Sequence, residues 1–518
     1  MQAFDGLRND LKVTVIPAKA GIQYRQDSHV LRDWIPAFAG MTVNWRWLLI
    51  ATLASPHAAN AHSFGRSYNL PVPLWLYAWG AAATLLLSFV LIAWFFTTAH
   101  SSRVETSHAL PAWCTRLARR LRPLLHLTSV ALLLLAMATG LFGNGDAYRN
   151  FNMTWFWIMF VLGLAYFTVL VGDVYAQANP WAVLASAIGR VWPRYSQGCL
   201  RYPPSLAYWP ALALYAGFIW IELFGRTNPH SLSLWLTAYT AINLAGVWLF
   251  GARDWFRCGE FFAVFLHLLG LMAPLHLAQD RLCWRLPLSG LHSTRAEHWS
   301  LLLFVLFMLS STAFDGLHAT VPWFQVFWSE PLASLRALAG THPTEAYLKL
   351  RSIHLGFESL SLLLSPVLYL AAYLACLALA KALLRSPVPM RELALRFAFS
   401  LLPIAFVYHF THYFTLLFTQ GPAALALLSD PFGIGWNLFG TARLGRPLLP
   451  DMAWVWHTQV GLILFGHVAS VALAHTEALR LFGNRREALI SQLPMLVLMM
   501  AFTVAGLWIL AQPLQGGA

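Results

Sequence analysis

The chain has 518 residues and a formal net charge of +13, with 58% hydrophobic and only 11% charged residues. A soluble domain carries about 25% charged residues, so this composition cannot coat a soluble surface, and it excludes soluble-enzyme, nucleic-acid-binding and disordered classes. Apolar runs close to the ~20 residues that cross a bilayer recur along the whole chain. They define an all-α, polytopic helical membrane protein of about ten transmembrane helices plus two short interfacial or re-entrant helices.

Residues 1–61 read as a leader. The first forty contain VIPAKAGIQ and WIPAFAGMT, a pair that resembles the translation of a dispersed bacterial DNA repeat, which makes Met41 the expected start. From there Arg46, the apolar WLLIATLA and Ala59-Asn60-Ala61 spell a signal peptide with cleavage before His62. A mature N-terminal His62 offers its α-amine and imidazole together, a chelate suited to Cu or Zn. Segment 62–121 then holds the first span, near 72–96, and a basic loop with Arg103, Arg116, Arg119 and Arg120.

Segment 122–297 reads as tandem two-span repeats, with spans near 122–142, 154–172, 206–224 and 232–250. Asp173-Val-Tyr, Trp181-Ala182-Val183 and Gly189 recur 81 residues later as Asp254-Trp-Phe, Phe262-Ala263-Val264 and Gly270. Asn179-Pro180 interrupts a stretch too polar to span in the first copy, so the second copy, 260–277, is also expected not to cross. Asp173 and Asp254 read as caps of these short helices. Segment 298–518 is a His-rich five-span bundle, with spans near 298–314, 355–382, 396–419, 453–476 and 489–511. The basic residues then gather on one side, which the positive-inside bias makes cytoplasmic, with both mature ends outside. The five Cys form no CxxC and read as structural.

Ionisable residues within spans are costly and mark candidate sites. His409 and His412 stand at i, i+3 on one helix face, where two imidazoles can share a metal. His457 and His467 lie on one face of the ninth span, the latter near mid-depth. Asp315 and His318 close the sixth span, with Gly316 between them as a possible break. His354 and Glu358, at i and i+4, open the seventh. Glu222 near the end of the fourth span is a supporting acid. These residues share one outer layer, beneath a Gly- and Pro-rich lid at 420–452 in which Asp430 starts a turn. A bland reading stands beside each: intramembrane His also serves as an interhelical hydrogen bonder, and Trp as an interfacial belt.

The stretches HSFGRSYNLPVPLWLYAWGAAATLLLSFV, STAFDGLHAT, HYFTLLFTQGPAALALLSDPFGIGWNLFGTA and SQLPMLVLMMAFTVAGLWIL resemble a bacterial integral-membrane family commonly labelled fenitrothion hydrolase, a membrane-bound organophosphate-hydrolysing type. The resemblance covers most of the chain after His62 and carries no site residues with it. It implies hydrolysis of a phosphotriester, with a small hydrophobic substrate entering from the outer leaflet of the lipid bilayer. On the residues alone, a divalent metal, Zn or Cu, would be held by His409, His412, His457, His62, His354 or His467 and would activate water. Asp315, His318 and Glu358 would be the catalytic set. Two alternatives remain open at this point. One is a metal or small-molecule transporter, favoured by the repeat and the broken segments. The other is a membrane redox protein with copper, or with haem between His412 and His467. The expected location is the bacterial inner (plasma) membrane, and the oligomeric state is open.

Overall fold

The computed structural model describes residues 73–95, 107–328 and 343–512, with side chains from Leu348 onward in the last stretch. The leader, the signal peptide, His62 and His342 lie outside the described residues. Among these, nine helices are long and apolar enough to cross a membrane, and the fold is an all-α, multi-pass helical bundle.

The helices are α1 (Leu74–Phe95), α2 (Ala112–Phe142), α3 (Phe151–Leu170), α4 (Pro180–Val191), α5 (Trp209–Phe224), α6 (Pro229–Phe250), α7 (Phe261–Gly270), α8 (Trp299–His318), α9 (Val321–Trp328), α10 (Pro343–Leu384), α11 (Met390–Thr419), α12 (Met452–Phe482) and α13 (Arg485–Ala511). Each of the ten expected spans has its helix. The tenth, α5, has 16 residues and reaches about 24 Å at 1.5 Å per residue. Three helices begin or end differently from their hydropathy, because polar residues extend them beyond the apolar run. Arg116, Arg119 and Arg120 lie in the first turns of α2 rather than in a loop, α10 begins well before His354, and α8 runs through Gly316 to His318 unbroken.

Two clusters of contacts define the two faces of the bundle. On the basic face a small antiparallel sheet, β1 (His108–Ala109), β2 (Leu275–Ala278) and β3 (Arg281–Trp284), runs in the order β1-β3-β2. Arg119 donates to the Asp280 carbonyl, Arg480 to that of His292 and Arg485 to that of Ala93. On the opposite face the 420–452 lid docks on the α2–α3 turn, where Asn144 N–H donates to Phe432 O and Phe151 N–H to Pro431 O. Asp430 does start a turn, its carboxylate accepting from the N–H groups of Ile434 and Gly435.

The repeat is a structural one. Helices α2, α3 and α4 correspond to α5, α6 and α7, and equivalent residues touch each other. Asn152 donates to Ser233 and Asn179 to Glu260, both pairs 81 residues apart. Trp181 and Phe262, separated by the same interval, stack with ring centroids 6.0 Å apart and planes inclined by 1°. A residue touches its own counterpart only near a two-fold axis, and both copies point the same way, so this pseudo-axis runs along the membrane normal. Each short helix packs on both repeats: α4 on α2 and α6, and α7 on α5 and α3.

The second short helix follows a chain that doubles back along α6. Helix α6 ends at Phe250, and Gly251, at φ +84°, reverses the chain. The chain then climbs back along α6 because Gly246 has no side chain: a Cβ there would come within 2.2 Å of the Trp255 ring. Trp255 donates its indole N–H to Asn243 at 2.9 Å. From Glu260, α7 descends to the basic face, where the buried Arg285 guanidinium donates to Gly270 O and Ala273 O and caps its last turn. Gly246→Val is expected to overpack this contact and cost about 1–3 kcal/mol, read as a lower midpoint in thermal unfolding of the detergent-purified protein.

Candidate functional site

Helix α8 is the most enclosed of the long helices, and Asp315 in its last turns is 1% exposed. Its carboxylate accepts a hydrogen bond from the Tyr413 hydroxyl at 2.5 Å and faces His412 Nε2 at 2.8 Å and His318 Nε2 at 3.4 Å. Gly316 keeps this corner open, since a Cβ there would lie 2.8 Å from Ile509 and 3.7 Å from His412. Glu222 from α5 is a second acid within hydrogen-bonding reach of the same Tyr413 hydroxyl. One phenol therefore sits between two carboxyl groups, with two imidazoles beside the first. The void beside Asp315 measures about 20 Å³ and is lined by Glu222, Ser311, Thr312, His409, Tyr413 and the Phe residues of α7. That is room for a single water.

The other expected residues fall in three places. His409 stands on the far side of Tyr413, edge-on to Tyr166, Phe265 and Tyr413, with Nε2 buried and without a partner among the described residues. His354 and Glu358 form their own pair at 3.3 Å, and Glu358 also accepts from the Trp323 indole at 3.0 Å. His318 is an electrostatic neighbour of both, which links this pair to Asp315. His457 is exposed beside Tyr77, its Nδ1 on the Ala453 carbonyl, and His467 is fully buried, its Nδ1 on the Ile463 carbonyl and its ring against Tyr408. Asp315, His318 and His412 thus come together with Glu222, and His409 lines the same void, while His457 and His467 stand apart from them.

Among the described residues no three His, Cys, Asp or Glu side chains are grouped as ligands of one metal ion. The void beside His467 is also about 20 Å³, far below the volume of a porphyrin. The geometry of Asp315 instead suits proton exchange: a buried carboxylate, two imidazoles and a phenol, all within one or two hydrogen bonds of each other.

A second polar centre lies deeper, and residue spacing within single helices did not point to it. The expected cap Asp173 does accept from Ala176 N–H, but the N-termini of α4 and α7 are capped by Asn179 and Glu260. Asn179 Oδ1 accepts from the N–H groups of Trp181 and Ala182. Glu260 accepts from those of Phe262 and Ala263 in the equivalent positions. The 81-residue offset was the available signal, since it places Glu260 opposite Asn179. Beneath them a cavity of about 500 Å³ opens toward the basic face, lined by Asp173, Tyr175, Asn179, Arg257, His267 and Glu297 among others. That volume falls in the range of small-molecule sites.

No family model, no curated protein and no solved structure matches the chain.

Tyr413→Phe removes a donor from a buried carboxylate and is expected to cost about 1.5–3 kcal/mol. His457→Ala, at an exposed position, should stay within about 0.5 kcal/mol of the parent. Parallel thermal unfolding of the two variants checks the contrast.

Proposed function

We propose that this protein is a small-solute permease coupled to protons. It would reside in the inner membrane, with the basic face toward the cytoplasm and the Asp315 centre toward the outside. One observation carries the reading: α7 is the septum between two polar compartments. Its Phe261, Phe262 and Phe265 line the void beside Asp315, and its Ala263, Val264 and His267 line the 500 Å³ vestibule. Two broken helices meeting near mid-depth at a repeat interface are what alternating access requires.

In this reading the vestibule takes the solute, and the Asp315 centre takes a proton. His412 and His318 pass that proton to or from the carboxylate, while Tyr413 bridges to Glu222 and lets either acid carry it. The phenylalanines of α7 keep the two compartments apart until the helix shifts.

The hydrolytic reading keeps one support, the Asp315–His412 pair at 2.8 Å, which has the form of a base with its orienting partner. A phosphotriester, however, is many times larger than the void at Asp315.

Reconstitution decides between them. Proteoliposomes on a solid-supported membrane are challenged with small carboxylates, amines, sugars and phosphate under an imposed pH gradient. At least one class is expected to evoke a current, reduced at least about tenfold in Asp315→Asn, a loss of about 1.4 kcal/mol. Absence of current for every class overturns the permease. So does aryl-phosphotriester turnover that Asp315→Asn abolishes, if no solute current accompanies it.

A further inference from the structure

Resting on the permease reading, we infer that Glu260 is a second proton-binding site, loaded from the vestibule, and that its protonation loosens the joint between α4 and α7. Glu260 is 0% exposed. Its two oxygens accept from Asn179 Nδ2 at 3.1 Å, the Tyr175 hydroxyl at 3.3 Å, the Tyr239 hydroxyl, and the N–H groups of Phe262 at 3.0 Å and Ala263 at 2.8 Å. All five partners are neutral. Among the described residues no Lys, Arg or His pairs with it, and Asp173 adds a further acid beside Tyr175. The ionised carboxylate is balanced only by hydrogen bonds and by the positive ends of two helices.

Such a cradle fits the anion and misfits the acid. Adding a proton puts a sixth hydrogen among five donors, and Asn179 Oδ1 already serves Trp181 and Ala182. The acid hydrogen finds an acceptor only if a tyrosine hydroxyl turns, and a donor is then released. The longest contacts are those of Asn179 and Tyr175, both of which line the vestibule, so the same side chains give the proton its route and give way when it arrives. The Asn179–Glu260 bond is the direct polar link between the two re-entrant tips. Its counterpart residue in the first repeat is an amide, which cannot titrate, so the pair holds one proton and not two.

The test uses the full chain in lipid nanodiscs and reads protons without transport. Infrared difference spectra between pH 5 and pH 9 should contain a protonated-carboxyl band that is absent in Glu260→Gln and kept in Asp315→Asn. If the glutamine variant does not fold, Tyr175→Phe serves instead: it removes one donor and should move the band's midpoint upward by roughly 0.5 units, within the scale of single hydrogen-bond effects. Identical difference spectra for parent and Glu260→Gln, or an unmoved midpoint in Tyr175→Phe, overturn the inference. A titrating band in a protein that moves no solute leaves the proton site standing and removes the permease. Solute movement without the band does the reverse.

Discussion

The structure depends on one buried hydrogen bond, from Asn179 to Glu260, that joins the tips of two helices which enter the membrane and turn back. Backbone in a bilayer must find its partners inside the protein, and a helix that stops halfway exposes its first N–H groups at the worst depth. Here the two tips solve each other's problem. Each capping side chain satisfies its own helix, and the two caps then bond across the pseudo-axis. Trp181 stacked on Phe262 and the packing of α4 and α7 against helices of both repeats hold the tips in register. Without this joint there would be neither a vestibule below nor a closed pocket above.

Depth was legible in the sequence, and lateral position was not. Hydropathy finds runs long enough to cross, so ten spans and the layer containing Asp315, His318, His354, Glu358 and His412 followed from it. Which way a side chain points around its helix depends on packing, and packing is set by partners far away in the chain. His409 and His412 are three residues apart, yet His412 meets the Asp315 carboxylate while His409 packs edge-on against Tyr166, Phe265 and Tyr413. His457 and His467 share a face of α12, but one is exposed and the other fully buried against Tyr408. Spacing alone could not separate these fates.

The repeat was legible through apolar and aromatic positions, whereas its most consequential pair was hidden by chemical dissimilarity. An amide and a carboxylate do not look alike in an alignment by eye. At a helix N-terminus they do the same work, because each presents an oxygen to the second and third N–H groups. Asp173, three residues past the end of α3, looked the better cap. It serves only the short turn at Tyr175, since the chain has to climb further before the helix proper begins.

The two acids differ in a way that gives the septum a direction. Asp315 faces two imidazoles, those of His318 and His412. Glu260 has only neutral donors, so a proton there has a mechanical cost paid at the joint. Phe261 and Phe262 adjoin Glu260 in sequence and also line the pocket beside Asp315. Any shift of the α7 tip that follows protonation therefore moves the wall of the opposite compartment. Coupling through a single short helix needs no long pathway of residues: it needs one rigid element with two faces and a tip whose hydrogen bonds depend on charge.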